Sequence, residues 1–99
     1  MNKSKDESFT LIVPISSEQA DRVCYILDWL KFAEKYSTCS VIVVIDNYAD
    51  LDIGQMQEEF KNWSCVKRVL EVKCGNPGGA RNKAMQFVDT EWFQFVDSD

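Results

Sequence analysis

Histidine is absent from this 99-residue chain, and glycine and proline are scarce, with four and two copies. The lack of histidine removes a common zinc ligand. Together with the absence of any Cys-x-x-Cys pair among Cys24, Cys39, Cys65 and Cys74, it argues against a structural zinc site. Basic residues are the minority: eleven Lys and Arg against sixteen Asp and Glu give a net charge of −5, which argues against the clustered positive footprint of a nucleic-acid binder and disfavours a polybasic membrane contact. No apolar run approaches the about 20 residues of a membrane span, and the polar stretch from Met1 to Ser8 does not read as a signal peptide. Reduced thiols and a cytoplasmic location are therefore expected.

What is present suits a folded core: 45% hydrophobic residues, including six Phe, three Trp and three Tyr. Phe9-Thr10-Leu11-Ile12-Val13 is a continuous apolar strand closed by Pro14. Ser16, with Gln19 three residues on, predicts a capping box, and Val23, Ile26, Leu27, Leu30 and Ala33 follow at helical spacing to about Tyr36. Residues 40–45 form the strongest β pattern and end on Asp46-Asn47. Asp52 predicts a helix cap before the inward face of Ile53, Met56, Phe60 and Trp63. Residues 66–72, with Lys67, Arg68 and Glu71, suit an edge strand. After the breaker Cys74-Gly75-Asn76-Pro77-Gly78-Gly79 a third helix turns Ala80, Ala84, Phe87 and Val88 inward, and Trp92-Phe93-Gln94-Phe95-Val96 reads as a buried strand.

The order β-α-β-α-β-α-β predicts an α/β fold: one domain over residues 1–99, three layers, with an open parallel sheet. In such a sheet ligands bind beyond the carboxyl ends of the strands, at a switch in strand order. Those ends are Pro14-Ile15-Ser16-Ser17, Asp46-Asn47, the glycine segment, and Asp97-Ser98-Asp99. Asp-x-Asp beyond a strand can offer two hard oxygen ligands to Mg²⁺ or Mn²⁺, where the bland alternative is a loop or helix cap. The glycine segment is neither a Walker A loop nor G-x-G-x-x-G, yet Gly78 and Gly79 allow backbone N–H groups to approach an anion at the helix start. Arg81, close to that positive helix end, suggests an anionic partner or a surface ion pair.

These segments together resemble the nucleotide-sugar-binding half of family 2 glycosyltransferases of the GT-A fold. The resemblance rests on Val13-Pro14, Val43-Val44-Ile45-Asp46-Asn47, Asn76-Pro77-Gly78-Gly79-Ala80-Arg81-Asn82 and Phe95-Val96-Asp97-Ser98-Asp99, in the family's order and spanning almost the whole chain. It implies an enzyme that transfers sugar from a UDP- or GDP-sugar to an acceptor the sequence does not identify. Pro14, Ile15, Ser16, Asp46, Asn76, Gly78, Arg81 and Asp97 are the implied nucleotide-sugar contacts. Asp46 would bond the base, Arg81 the base or diphosphate, and Asp97 the ribose or metal; Asp97 with Asp99 would hold Mn²⁺ or Mg²⁺. Ser16 and Ser17 stand where the family usually has an aromatic residue and then Asn, so base stacking there falls to Tyr48 if to any residue. The family continues past its Asp-x-Asp into an acceptor-binding half that carries the catalytic base in inverting members, which implies that these 99 residues are an incomplete and inactive portion. Two other readings are a module that binds nucleotide without turnover, and a flavodoxin-like signalling domain with Asp46 as phosphoacceptor. The second is disfavoured because serines and glycines hold the positions where such domains gather carboxylates. A strand order of 3-2-1-4, taken from the resemblance, leaves 92–96 at an edge and predicts a homodimer through it.

Overall fold

The computed structural model describes residues 9–17, 23–35 and 39–96. Four parallel strands, β1 (Phe9–Ser16), β2 (Cys39–Asp46), β3 (Val66–Val72) and β4 (Trp92–Phe95), alternate with three helices, α1 (Val23–Glu34), α2 (Gly54–Lys61) and α3 (Pro77–Met85). The sheet order is β3-β2-β1-β4.

Burial on both faces explains the unbroken apolar strands. Leu11, Val13 and Ile15 of β1 and Val41, Val43 and Ile45 of β2 face a core shared with Ile26, Leu30, Ala33 and Phe60 from α1 and α2. Ile12, Ile42 and Val44 face the other way, onto Ala80 and Ala84. The alanines let α3 lie close to the sheet, so helices cover both sides. At the start of β4, the buried Thr10 hydroxyl meets that of Thr90 at 2.7 Å, and Thr90 Oγ1 donates to the Trp92 carbonyl at 2.7 Å. On the opposite side Glu34 ties α1 to the turn before β3, accepting from Cys65 N–H at 2.8 Å and Ser64 Oγ at 2.8 Å. The Cys65 bond, then the Ser64 hydroxyl, hold the Glu34 carboxyl below its usual range, and burial pushes the Cys65 thiol up to about 12.

Several local expectations are corrected. Ser16 is the last residue of β1 and pairs in register with Asp46, while the capping box expected of it with Gln19, and the helix end expected at Tyr36, lie outside the described residues. The α2 cap position is Ile53, although Asp52 Oδ1 still accepts from Gly54 N–H at 3.1 Å, so the capping bond stays with the aspartate. Phe87 stands in the turn after α3 instead of on its inward face, half exposed beneath the Arg68 guanidinium at 4.4 Å. The expected buried strand at 92–96 is buried only at its end. Trp92 is 63% and Phe93 46% exposed, whereas Val96 reaches the core. β4 pairs with β1 alone, and among the described residues nothing lies beyond it.

Candidate functional site

The chain steps from β1 outward to β2 and β3, then crosses back to place β4 on the other side of β1. That reversal makes the carboxyl end between β1 and β4 the switch point where an α/β sheet opens a crevice. Among the described residues β4 pairs with β1 from Phe9 to Ile12, and the last bond across is Val96 N–H to the Ile12 carbonyl at 2.8 Å. Beyond it, from Pro14 onward, β1 has β2 on one side only among the described residues, a setting in which a strand tolerates proline. Ile15 points into the core at 2% exposure, so it offers a ligand its backbone and not its side chain.

Asp46 is the pivot of this rim. It ends β2 beside Ser16, its carbonyl accepts from Ser17 N–H at 3.1 Å, and its side chain is only 7% exposed. Oδ1 accepts from Cys74 N–H at 2.9 Å and Gly75 N–H at 3.1 Å, which folds the glycine segment back over the end of β2. Both bonds use one oxygen, and Oδ2 accepts none among the described residues. Asn47 fixes the adjoining loop: its amide donates to the Leu51 carbonyl and to Glu71 Oε2, both at 2.8 Å, and accepts from Leu51 N–H at 2.9 Å. Lys73 and Asp50 close the outer side with a 2.9 Å ion pair; that bond lowers the Asp50 carboxyl pKa and raises the Lys73 amine pKa.

Each part of the glycine segment has its own reason. Gly75 adopts φ +77, the left-handed region that favours glycine. Asn76 caps α3 by accepting from Gly79 N–H at 2.6 Å, with its amide returned to the Cys74 carbonyl at 3.2 Å. A Cβ on Gly79 would stand 2.9 Å from Cys74 Cβ, whereas one on Gly78 would meet only Asn76 Oδ1 at an ordinary 3.5 Å. Packing therefore dictates Gly79 and leaves Gly78 with room at the helix start. Gly79→Ala should lose roughly 1–3 kcal/mol of stability, as overpacking does, and Gly78→Ala under about 0.5 kcal/mol. Urea melts of the two variants check this, and the reverse ranking would contradict the packing.

The structure thus brings Ser16, Asp46, Asn76 and Gly78 to one rim, with Tyr48 exposed beside Gly75. Arg81 serves another part of it: its guanidinium lies 5.2 Å from the Phe95 ring centroid, at the carboxyl end of β4. Asp97 and Asp99 lie outside the described residues, and among the described ones no group of three or more Cys, Asp or Glu is placed to hold a metal. Ser17 was not among the expected contacts. Its hydroxyl is buried at the rim without a hydrogen-bond partner among the described residues, which no periodicity signals because the residue follows the strand as a turn.

Comparison with known proteins agrees with this geometry. A search of curated proteins returns no match. Among solved structures, the S. aureus TarS 1–349 structure superposes with a TM-score of 0.70 at 28% identity, covering 93% of this chain and 27% of that one. The same protein in complex with UDP-GlcNAc gives 0.65 at 32% identity, covering 93% and 26%. A further TarS structure gives 0.67 at 29%, covering 93% and 16%. The chain thus spans about a quarter or less of the neighbours' length. The family model described as "Glycosyl transferase family 2" matches residues 10–99, and the chain belongs to that family, with its GT-A-like α/β fold.

Proposed function

We propose that this chain is the donor-binding portion of a glycosyltransferase and takes a nucleoside diphosphate sugar of the UDP or GDP class at the carboxyl rim of the sheet. The observation that carries the reading is Asp46, a nearly buried carboxylate at the end of β2 that holds the glycine segment with one oxygen and keeps the other out of those bonds. Oδ2 suits an acceptor for a base N–H, Ser17 Oγ supplies a further polar atom, and Tyr48 a face for stacking. Pro14, Ile15 and Ser16 form the opposite wall, with Ile15 contributing through its backbone. Asn76 acts indirectly by shaping the helix start, and Gly78 leaves space for a phosphate there.

Asp97 and Asp99 would hold Mn²⁺ or Mg²⁺. Carboxylate oxygens are the hard donors these ions take, and the ion neutralises charge on the diphosphate leaving group. The likeness to TarS bound to UDP-GlcNAc supports a uridine diphosphate sugar. Transfer to an acceptor belongs to a longer chain, which supplies the acceptor-binding half and base; the 99 residues alone bind without turnover. The β4 edge is where further sheet would add, and in the isolated chain the 92–96 edge pairs with a second copy. No helix among the described residues is long and apolar enough to cross a membrane.

Arg81→Ala tests the ligand role of this rim arginine. Its loss should weaken UDP binding by roughly 1.5–3 kcal/mol, the scale of a charge-assisted hydrogen bond. Its contact with Phe95 is worth about 1 kcal/mol, so stability should fall less than binding. A variant that melts early and binds UDP normally would make Arg81 structural.

A further inference from the structure

Three polar links stitch the loop after β2 to the end of β3 and the glycine segment. Asn47 donates to Glu71 Oε2 at 2.8 Å, Lys73 pairs with Asp50 at 2.9 Å, and Asp46 Oδ1 accepts from the Cys74 and Gly75 N–H groups. The links are not equal. Lys73 and Asp50 are 58% and 80% exposed, and a pair so open to water contributes little. Asn47 is 1% exposed, and its side-chain amide is fully committed: it donates to the Leu51 carbonyl and to Glu71 Oε2, and accepts from Leu51 N–H. The two Leu51 bonds fold the loop on itself. The Glu71 bond is the one that fastens this folded loop, through a side chain, to β3.

We infer that Glu71 is a positioning residue for the nucleotide base: through Asn47 it sets the loop that carries Tyr48, and with it the face on which the base stacks. The inference rests on the donor-site reading given above. Tyr48 follows Asn47 directly and is 51% exposed, and its Cβ lies 3.9 Å from where a Cβ on Gly75 would stand, so it sits where the loop meets the glycine segment. Asp50, in the same loop, has φ 57, the left-handed region that residues other than glycine seldom adopt. The loop thus relies on side-chain bonds to keep its turn. Glu71 itself is exposed on the edge strand and meets the rim only through Asn47. Stacking depends on where a ring sits, so loosening the Glu71 bond should change how the base is held as well as how tightly.

Titration of the chain with UDP in Mg²⁺, followed by NMR, reads both. In the starting protein a stacked base should shift the Tyr48 ring resonances. Glu71→Ala should weaken UDP binding roughly three- to tenfold, the scale of one lost hydrogen bond, and reduce the Tyr48 shift extrapolated to saturation. A merely structural role would leave that end-point shift in place. Glu71→Gln keeps an oxygen for the Asn47 amide and should restore affinity to within about twofold, together with the shift. Lys73→Ala, which breaks the neighbouring exposed pair, should change neither. Circular dichroism checks the fold, which an exposed position on an edge strand should not disturb. A starting protein that does not bind UDP would overturn the donor-site reading and the role of Glu71 with it. In a chain that does bind UDP, an unshifted Tyr48, a Glu71→Ala variant with full affinity or an unchanged end-point shift, or a Glu71→Gln variant that fails to recover would overturn the positioning role alone.

Discussion

Asp46→Ala should cost the chain both its rim and its ligand. The truncation leaves the Cys74 and Gly75 N–H groups without their acceptor, on a segment whose residues are themselves exposed so that water can reach them. Each lost bond is worth roughly 0.5–1.5 kcal/mol where water can replace the acceptor, so the urea midpoint should fall measurably. Nucleotide affinity should disappear with the loop that shapes the site. Asp46→Asn separates the two effects. Its amide keeps one oxygen for the loop donors but presents an NH₂ where Oδ2 was, so stability should largely survive while UDP binding is lost. An alanine variant as stable as the starting protein would show that the glycine segment is held by other contacts.

Phe60→Ala should have the largest effect on stability, without touching the rim. Phe60 is fully buried where α2 meets the sheet, and truncating a buried phenylalanine typically costs about 3–5 kcal/mol. That is a large share of the 5–15 kcal/mol, roughly, that holds a typical domain together. Urea melts should show the loss, and calorimetry on the molecules that remain folded should return unchanged nucleotide affinity. A loss below about 1 kcal/mol would mean that the α2 face is not part of the core.

Phe60 also illustrates what the sequence discloses. Its place on a face with Ile53, Met56 and Trp63 is a periodic signal, and such signals report burial directly. The unbroken runs of β1 and β2 were legible for the same reason, since strands covered on both faces have no polar alternation to keep. The edge position of β3 followed from its charges, and the order of all four strands from family resemblance. Elsewhere the pattern misled. Phe87 keeps the helical period on paper, but α3 ends at Met85 and the ring turns outward to Arg68. Trp92 and Phe93 suit any strand, and composition does not say whether an edge is covered.

At the rim the sequence identified residue types but not their division of labour. Asp46 was recognised as a carboxylate at a strand end; that one of its oxygens is spent on the Cys74 and Gly75 amides is a long-range fact, 28 and 29 residues away. Ile15 and Ser16 were grouped as contacts, although alternation along β1 sends Ile15 inward. The glycines looked equivalent, and only packing distinguishes Gly79, hard against Cys74, from Gly78, which has space.

Calorimetric titration of UDP, first in Mn²⁺ and then in excess chelator, tests most directly whether this acidic rim is a donor site. The account predicts weak, millimolar binding, about −4 kcal/mol, with the metal, and no measurable heat in chelator. Equal affinity under both conditions, or none under either, would contradict it.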